Sequence, residues 1–121
     1  MFVKFWGVRG SIPTPEHASR IYGGNTSCVE VRTDQGLFIL DAGTGIRRLG
    51  ADLMGRGLSN INVNFLFSHP HWDHIQGFPF FTPAYIPGNT LNVYDVGSEH
   101  KIADLLSGQM SSGYFPVDFK D

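Results

Sequence analysis

A chain of 121 residues is long enough for one compact domain with a real apolar core and too short for two. With 41% apolar and 17% charged residues it is ordinary globular material, so a disordered chain is excluded, and a net charge of -2 removes any global cationic footprint for nucleic acid or a membrane surface. The single cysteine, Cys28, rules out an internal disulfide, and no apolar run approaches the roughly 20 residues of a membrane span.

Met1 to Gly7 is apolar but too short for the core of a signal peptide, and Arg9 follows soon after, so a soluble cytoplasmic protein is expected. Phe2, Val3, Phe5, Trp6 and Val8 have the aromatic and β-branched character of a first strand, near Phe2 to Val8. Arg9 to His17, rich in proline and glycine, reads as a loop, and Tyr22 to Ser27 as a second corner. Cys28 to Arg32 alternates like a half-buried strand, Asp34-Gln35-Gly36 supplies a turn, and Leu37 to Leu40 is a short apolar run, which together predict a hairpin. Asp41 to Gly45 leads into a helix from about Gly45 to Met54, with Thr44 as its cap and Ile46, Leu49, Leu53 and Met54 as its inward stripe. Arg47 and Arg48 fall on the solvated face. The next strand, Ile61 to Ser68, delivers a histidine-rich loop at its carboxyl end, where open α/β sheets commonly place ligands.

That loop reads Ser68-His69-Pro70-His71-Trp72-Asp73-His74, and it gathers three of the five histidines into six positions. Imidazole nitrogen and carboxylate oxygen are the donors that borderline divalent ions such as zinc prefer. One residue separates His69 from His71, so an extended backbone projects both rings to the same side, and Pro70 disfavours helix at His69. A turn after Trp72 would then aim Asp73 and His74 at a second point nearby. Beyond the loop, Gln76 to Tyr85 is dense in aromatics and broken by Pro79 and Pro83, and core packing against the sheet is its simplest reading. Thr90 to Val96 reads as a further strand, and Ser98 caps a helix from Glu99 to Gln109 with Ile102, Leu105, Leu106 and Met110 inward.

His69-Pro70-His71-Trp72-Asp73-His74 resembles the HxHxDH signature of the metallo-β-lactamase superfamily. Gly7 to Pro13, Tyr22 to Cys28 and Leu40 to Gly45 are similar to the N-terminal blocks of its ribonuclease Z and cyclic-nucleotide phosphodiesterase branch. The resemblance implies an α/β fold: the N-terminal half of the αββα sandwich, a mixed β-sheet with flanking helices, with residues 1–121 forming one partial domain. It implies a two-metal site holding Zn²⁺, with Mn²⁺ or Fe²⁺ as alternatives. His69 and His71 would bind one ion and Asp73 and His74 the other. Asp73 would also orient the attacking water, and Asp41 would tether the loop without ligating metal. The implied activity is phosphodiester hydrolysis.

The family also uses a further histidine, a bridging aspartate and a last histidine downstream. Here the later histidine is His100, in the expected helix, and Asp95, Asp104, Asp118 and Asp121 match no family motif. A truncated chain carrying half the site is therefore expected, with two protein ligands per ion where a zinc site has three or four. The sheet face that a second half would cover should be apolar and exposed, which predicts a homo-oligomer or pairing with a second-half chain. The competing expectation is a catalytically inactive domain that acts through association. Neither expectation includes a membrane or stable nucleic-acid binding. His17 and His100 read as surface residues, Gly24-Asn25-Thr26 as a turn, and Cys28 as a small buried hydrophobe.

Overall fold

Alternation along the strands decides which side of the sheet each residue faces. The computed structural model describes residues 1–97 and 101–119. Among these, β1 (Phe2–Gly7), β2 (Cys28–Thr33), β3 (Gly36–Leu40), β4 (Asn62–Phe67) and β5 (Thr90–Asp95) form one sheet in that order. β1, β2 and β3 are antiparallel neighbours, with Val3 opposite Val31 and Val31 opposite Phe38, so the expected hairpin is present. β3, β4 and β5 run parallel, Ile39 level with Phe65 and Phe65 level with Val93. Parallel neighbours require crossovers, and α1 (Ile46–Gly55) provides the one between β3 and β4.

One face is dry. Ile39, Val63, Phe65 and Phe67 are at most 1% exposed and share a single core with Ile46, Leu49 and Leu53 of α1, with Phe78 and Phe81, and with Ile102, Leu106 and Met110 at α3 (Ile102–Gln109). Phe65 stacks on Phe67 and takes the edges of Phe78 and Phe81 at centroid distances of 5.5 and 5.4 Å. The aromatic segment therefore packs as core, through short 3-10 turns at Phe78–Phe80 and Thr82–Tyr85. The other face carries a row across all five strands, Phe5, Val29, Leu40, Leu66 and Tyr94. In that row Phe5, Leu40, Leu66 and Tyr94 are 67%, 38%, 40% and 53% exposed. Asn92 donates its amide to Asn62 and Asn64 at the end of this face away from the histidine loop.

Several local expectations are corrected. α1 has Gly45, not Thr44, at its N-cap, with no side-chain cap. The Thr44 hydroxyl instead accepts the Thr26 N–H and the Thr26 hydroxyl accepts the Thr44 N–H, each at 2.8 Å. This reciprocal pair ties the corner before β2 to the corner before α1. Met54 is exposed, while Gly50 takes a buried place on the inward stripe because Phe81 and Pro83 press close to it. Ser98, Glu99 and His100 lie outside the described residues, and α3 begins at Ile102 after Lys101. Glu30, read only as part of an alternating strand, is fully buried, with its carboxylate accepting from the Trp6 indole at 3.2 Å and pairing with Arg32 and Arg56, both at 3.3 Å. A buried carboxylate needs this company.

Candidate metal centre

Strand β4 ends at Phe67, and the chain leaves its carboxyl edge through Ser68, His69, Pro70 and His71 into the single-turn helix α2 (Trp72–Ile75). His71 is extended, at φ -60° and ψ 151°, as the proline and the one-residue spacing predict. The three rings gather: His69 lies 4.5 Å from His71 and 4.1 Å from His74 between centroids.

What holds them is Asp41, at the parallel neighbour's end. It occupies a left-handed corner at φ +61°, a conformation that aspartate tolerates better than most side chains. One carboxylate oxygen accepts the Ser68 N–H at 2.8 Å. The other accepts the Ser68 hydroxyl at 2.7 Å and meets His74 Nδ1 at 2.8 Å. Because the Ser68 proton is committed to Asp41, Ser68 Oγ is the acceptor for His69 Nδ1 at 2.9 Å. Both contacts fix the Nδ1–H tautomer and leave Nε2 as the free donor atom on His69 and His74, the arrangement by which a carboxylate or hydroxyl orients a metal-binding imidazole. Asp41 thus joins the end of β3 to Ser68 and His74.

Asp73 is held from the opposite side. Its Oδ2 accepts the Ser11 N–H at 3.0 Å and stands 3.3 Å from His74 Nε2. The Ser11 amide, assisted by His74, its own backbone N–H and His69, keeps the Asp73 carboxyl below its ordinary range against the opposing effect of desolvation.

The loop packs on the Asp41 corner with little clearance. The Ala42 N–H donates to the His74 carbonyl at 2.7 Å and the Gly77 N–H to the Ala42 carbonyl at 2.9 Å. A Cβ on Gly43 would lie 2.4 Å from the Asp73 carbonyl oxygen, and one on Gly77 would lie 2.0 Å from the Gly43 carbonyl oxygen. Only glycine admits this approach.

The donor chemistry fits a borderline divalent ion, three imidazoles and a carboxylate, with outer partners in place for His69, His74 and Asp73. The set is incomplete, however: among the described residues no group of three or more His, Cys, Asp or Glu side chains could hold a metal ion. Two imidazoles on one tetrahedral zinc, with Zn–N about 2.0–2.1 Å, put their centroids about 5 Å apart. The rings here are closer than that and would have to spread by about an ångström to share an ion. His17 sits exposed in the 3-10 turn His17–Ser19, away from the loop's bonded network, and His100 lies outside the described residues. Sequence reasoning missed Ser68 and Ser11 as loop partners. Ser68 adjoins the motif and a hydroxyl there is a readable signal, whereas the Ser11 contact spans 62 positions and has no local sign.

A mixed sheet flanked by helices, with a histidine loop at the carboxyl end of β4, defines an α/β protein. The model of the metallo-beta-lactamase superfamily matches residues 21–108, most of the chain, and the protein belongs to that superfamily. No curated protein matches. A Thermotoga maritima protein assigned to the metallo-beta-lactamases, with a crystal structure at 2.10 Å, is similar at 22% identity over 74% of this chain, with a TM-score of 0.43. The chain covers 41% of that protein, less than half its length. No described helix is long and apolar enough to cross a membrane.

Proposed function

We propose that the protein is a metal-dependent hydrolase of phosphodiesters, in the ribonuclease Z and phosphodiesterase branch of its superfamily, and that residues 1–121 supply part of a two-metal site. The observation that carries the reading is the outer support of the loop: Asp41 and Ser68 hold the Nδ1 atoms of His74 and His69, and Ser11 fixes Asp73, whose carboxylate stands 3.3 Å from His74 Nε2. His69, His71, Asp73 and His74 would hold the ions, zinc by preference and Mn²⁺ or Fe²⁺ as alternatives. A bound divalent pair supplies Lewis-acid charge that acidifies water and offsets anionic charge on a phosphoryl group. The chain's own part is to orient: the Asp73 carboxylate, kept charged by the Ser11 amide, accepts a hydrogen bond from water and turns it toward the substrate.

Four donors are too few for two ions, since a zinc site draws three or four ligands from protein. The remaining ligands would come from polypeptide other than these residues, as a second sheet layer or a partner chain. The open row from Phe5 to Tyr94 supports that part of the reading, because an apolar sheet face of that kind is normally covered. The same face favours the second reading, a catalytically silent partial domain that works by association.

Native mass spectrometry with added zinc, paired with hydrolysis of bis(p-nitrophenyl) phosphate, tests both. The hydrolase reading expects weak zinc retention by the monomer, and stoichiometric zinc with turnover in an assembled form, abolished by His71→Ala. Turnover in no assembly would reject it and leave the association reading.

A further inference from the structure

Beside the histidine loop lies a second feature that the metal chemistry does not use. Val8, Arg9, Gly10, Glu16, Ser19 and Tyr22 line an open cleft of about 510 Å³. That volume lies within the range of about 300–1,000 Å³ typical of small-molecule sites. One residue past Gly10, the Ser11 N–H bonds Asp73, so the cleft rim and the candidate metal loop are joined through a single peptide unit.

The lining is pre-formed for an anion joined to a flat group. Arg9 is fixed at its root: its backbone N–H donates to the Asn25 carbonyl at 3.0 Å and its Nε to the Ile12 carbonyl at 2.7 Å. Among the described residues neither of its Nη groups has a protein partner, and Arg9 forms no ion pair with Glu16 across the cleft. An anchored guanidinium with both outer nitrogens free suits bidentate contact with a phosphoryl group. Tyr22 is 82% exposed, with no aromatic partner among the described residues. Next to it Gly23, at φ +82°, donates its N–H to the Ser19 carbonyl at 2.7 Å, which closes the turn that carries the phenol. Such a ring is a stacking surface for a nucleobase. Glu16 can accept only from a hydroxyl or amine, which a nucleoside also offers.

We infer that this cleft is a substrate subsite for the nucleotidyl part of a phosphodiester, with Arg9 on the phosphoryl oxygens and Tyr22 against the base. The inference rests on the hydrolase reading for its biological sense, but the binding itself needs no metal. The test uses chelator-treated protein, with adenosine 5′-monophosphate as the probe and adenosine and inorganic phosphate as separate arms, followed by two-dimensional amide NMR.

The nucleotide should shift the amides of Gly10, Ser19 and Gly23 and bind more tightly than either arm. Tyr22→Ala should weaken it about tenfold, the scale of one stacked base, while Tyr22→Phe keeps it. Arg9→Gln should reduce nucleotide affinity to that of adenosine. Equal binding in all variants, shifts centred on the groove beside Trp72 and Tyr114, or no nucleotide binding would each overturn the inference. Absorption of Co²⁺ added to the histidine loop is read separately. Cobalt binding without nucleotide binding sinks the subsite alone, and nucleotide binding with no cobalt taken up even by an assembled form sinks the metal reading alone.

Discussion

The two faces of the sheet are built from the same strands and have opposite fates. In β4, Val63, Phe65 and Phe67 are sealed while Leu66, between them, is 40% exposed; in β3, Ile39 is sealed and Leu40 is 38% exposed. Toward the histidine loop the open face is apolar, with Leu40, Leu66 and Tyr94, and away from it polar, with Asn62, Asn64 and Asn92. The difference teaches that the helices seal one face of the sheet and leave an apolar row on the other.

The largest effect should come from the sealed face. Phe65→Ala removes a ring that touches Phe67, Phe78 and Phe81, and should cost about 3–5 kcal/mol in urea unfolding. A loss below about 1 kcal/mol would mean that this face is no better packed than the other.

Asp41→Ala comes next, because it frees Ser68 and His74 together. Zinc or cobalt affinity in the assembled protein should fall about 10- to 100-fold, as for other outer partners of metal-bound histidine. Chelator competition reads it, and an unchanged affinity would deny Asp41 its orienting role.

Cys28, on the sealed side of β2, gives a smaller, pH-dependent effect. Burial pushes its thiol well above the ordinary range, with Asp41 and Glu30 adding to the shift. The unfolded thiol ionises near pH 8.5 while the folded one stays protonated, so this group's contribution is constant below that pH. Above it stability should fall by up to about 1.4 kcal/mol per pH unit, and Cys28→Ala should flatten the decline. Iodoacetamide at pH 8.5 should label Cys28 in urea and not in buffer.

Least of all, Leu66→Asn on the open face should change monomer stability by no more than about 0.5 kcal/mol. Its effect should appear in sedimentation instead, as weaker association at micromolar concentration. A stability loss comparable to that of Phe65→Ala would show that the open face is already packed.

Much of this was legible from residues alone. Period-two alternation gave the β2–β3 hairpin, helical spacing gave α1, and the histidine spacing with Pro70 gave the extended loop. The tethering role of Asp41 came from the resemblance to the superfamily's first motif, since nothing in the local pattern singles it out. The failures share a cause: each was decided by a contact distant in sequence. Thr44 looks like a helix cap until Thr26, 18 positions earlier, takes its hydroxyl. Met54 fits the inward stripe until Phe81 and Pro83 occupy the space beside Gly50. The burial of Glu30 depends on Arg56, 26 positions away, and Ser11 reaches Asp73 across 62.

The histidine loop is organised from outside as well as by its own Ser68–His69 bond. It hangs from β4, yet the groups that steady it, Asp41 and Ser11, belong to the preceding meander and its connections. Within that meander the β2–β3 hairpin pairs residues close in sequence and forms early, whereas the β1–β2 and β3–β4 pairings join distant positions, and pairings of this kind are slow. In refolding, amide protection should therefore reach Val31 and Phe38 before it reaches the residues after Phe67. A metal-binding surface would be the last thing this chain acquires, and any ion met beforehand would find a flexible histidine tract.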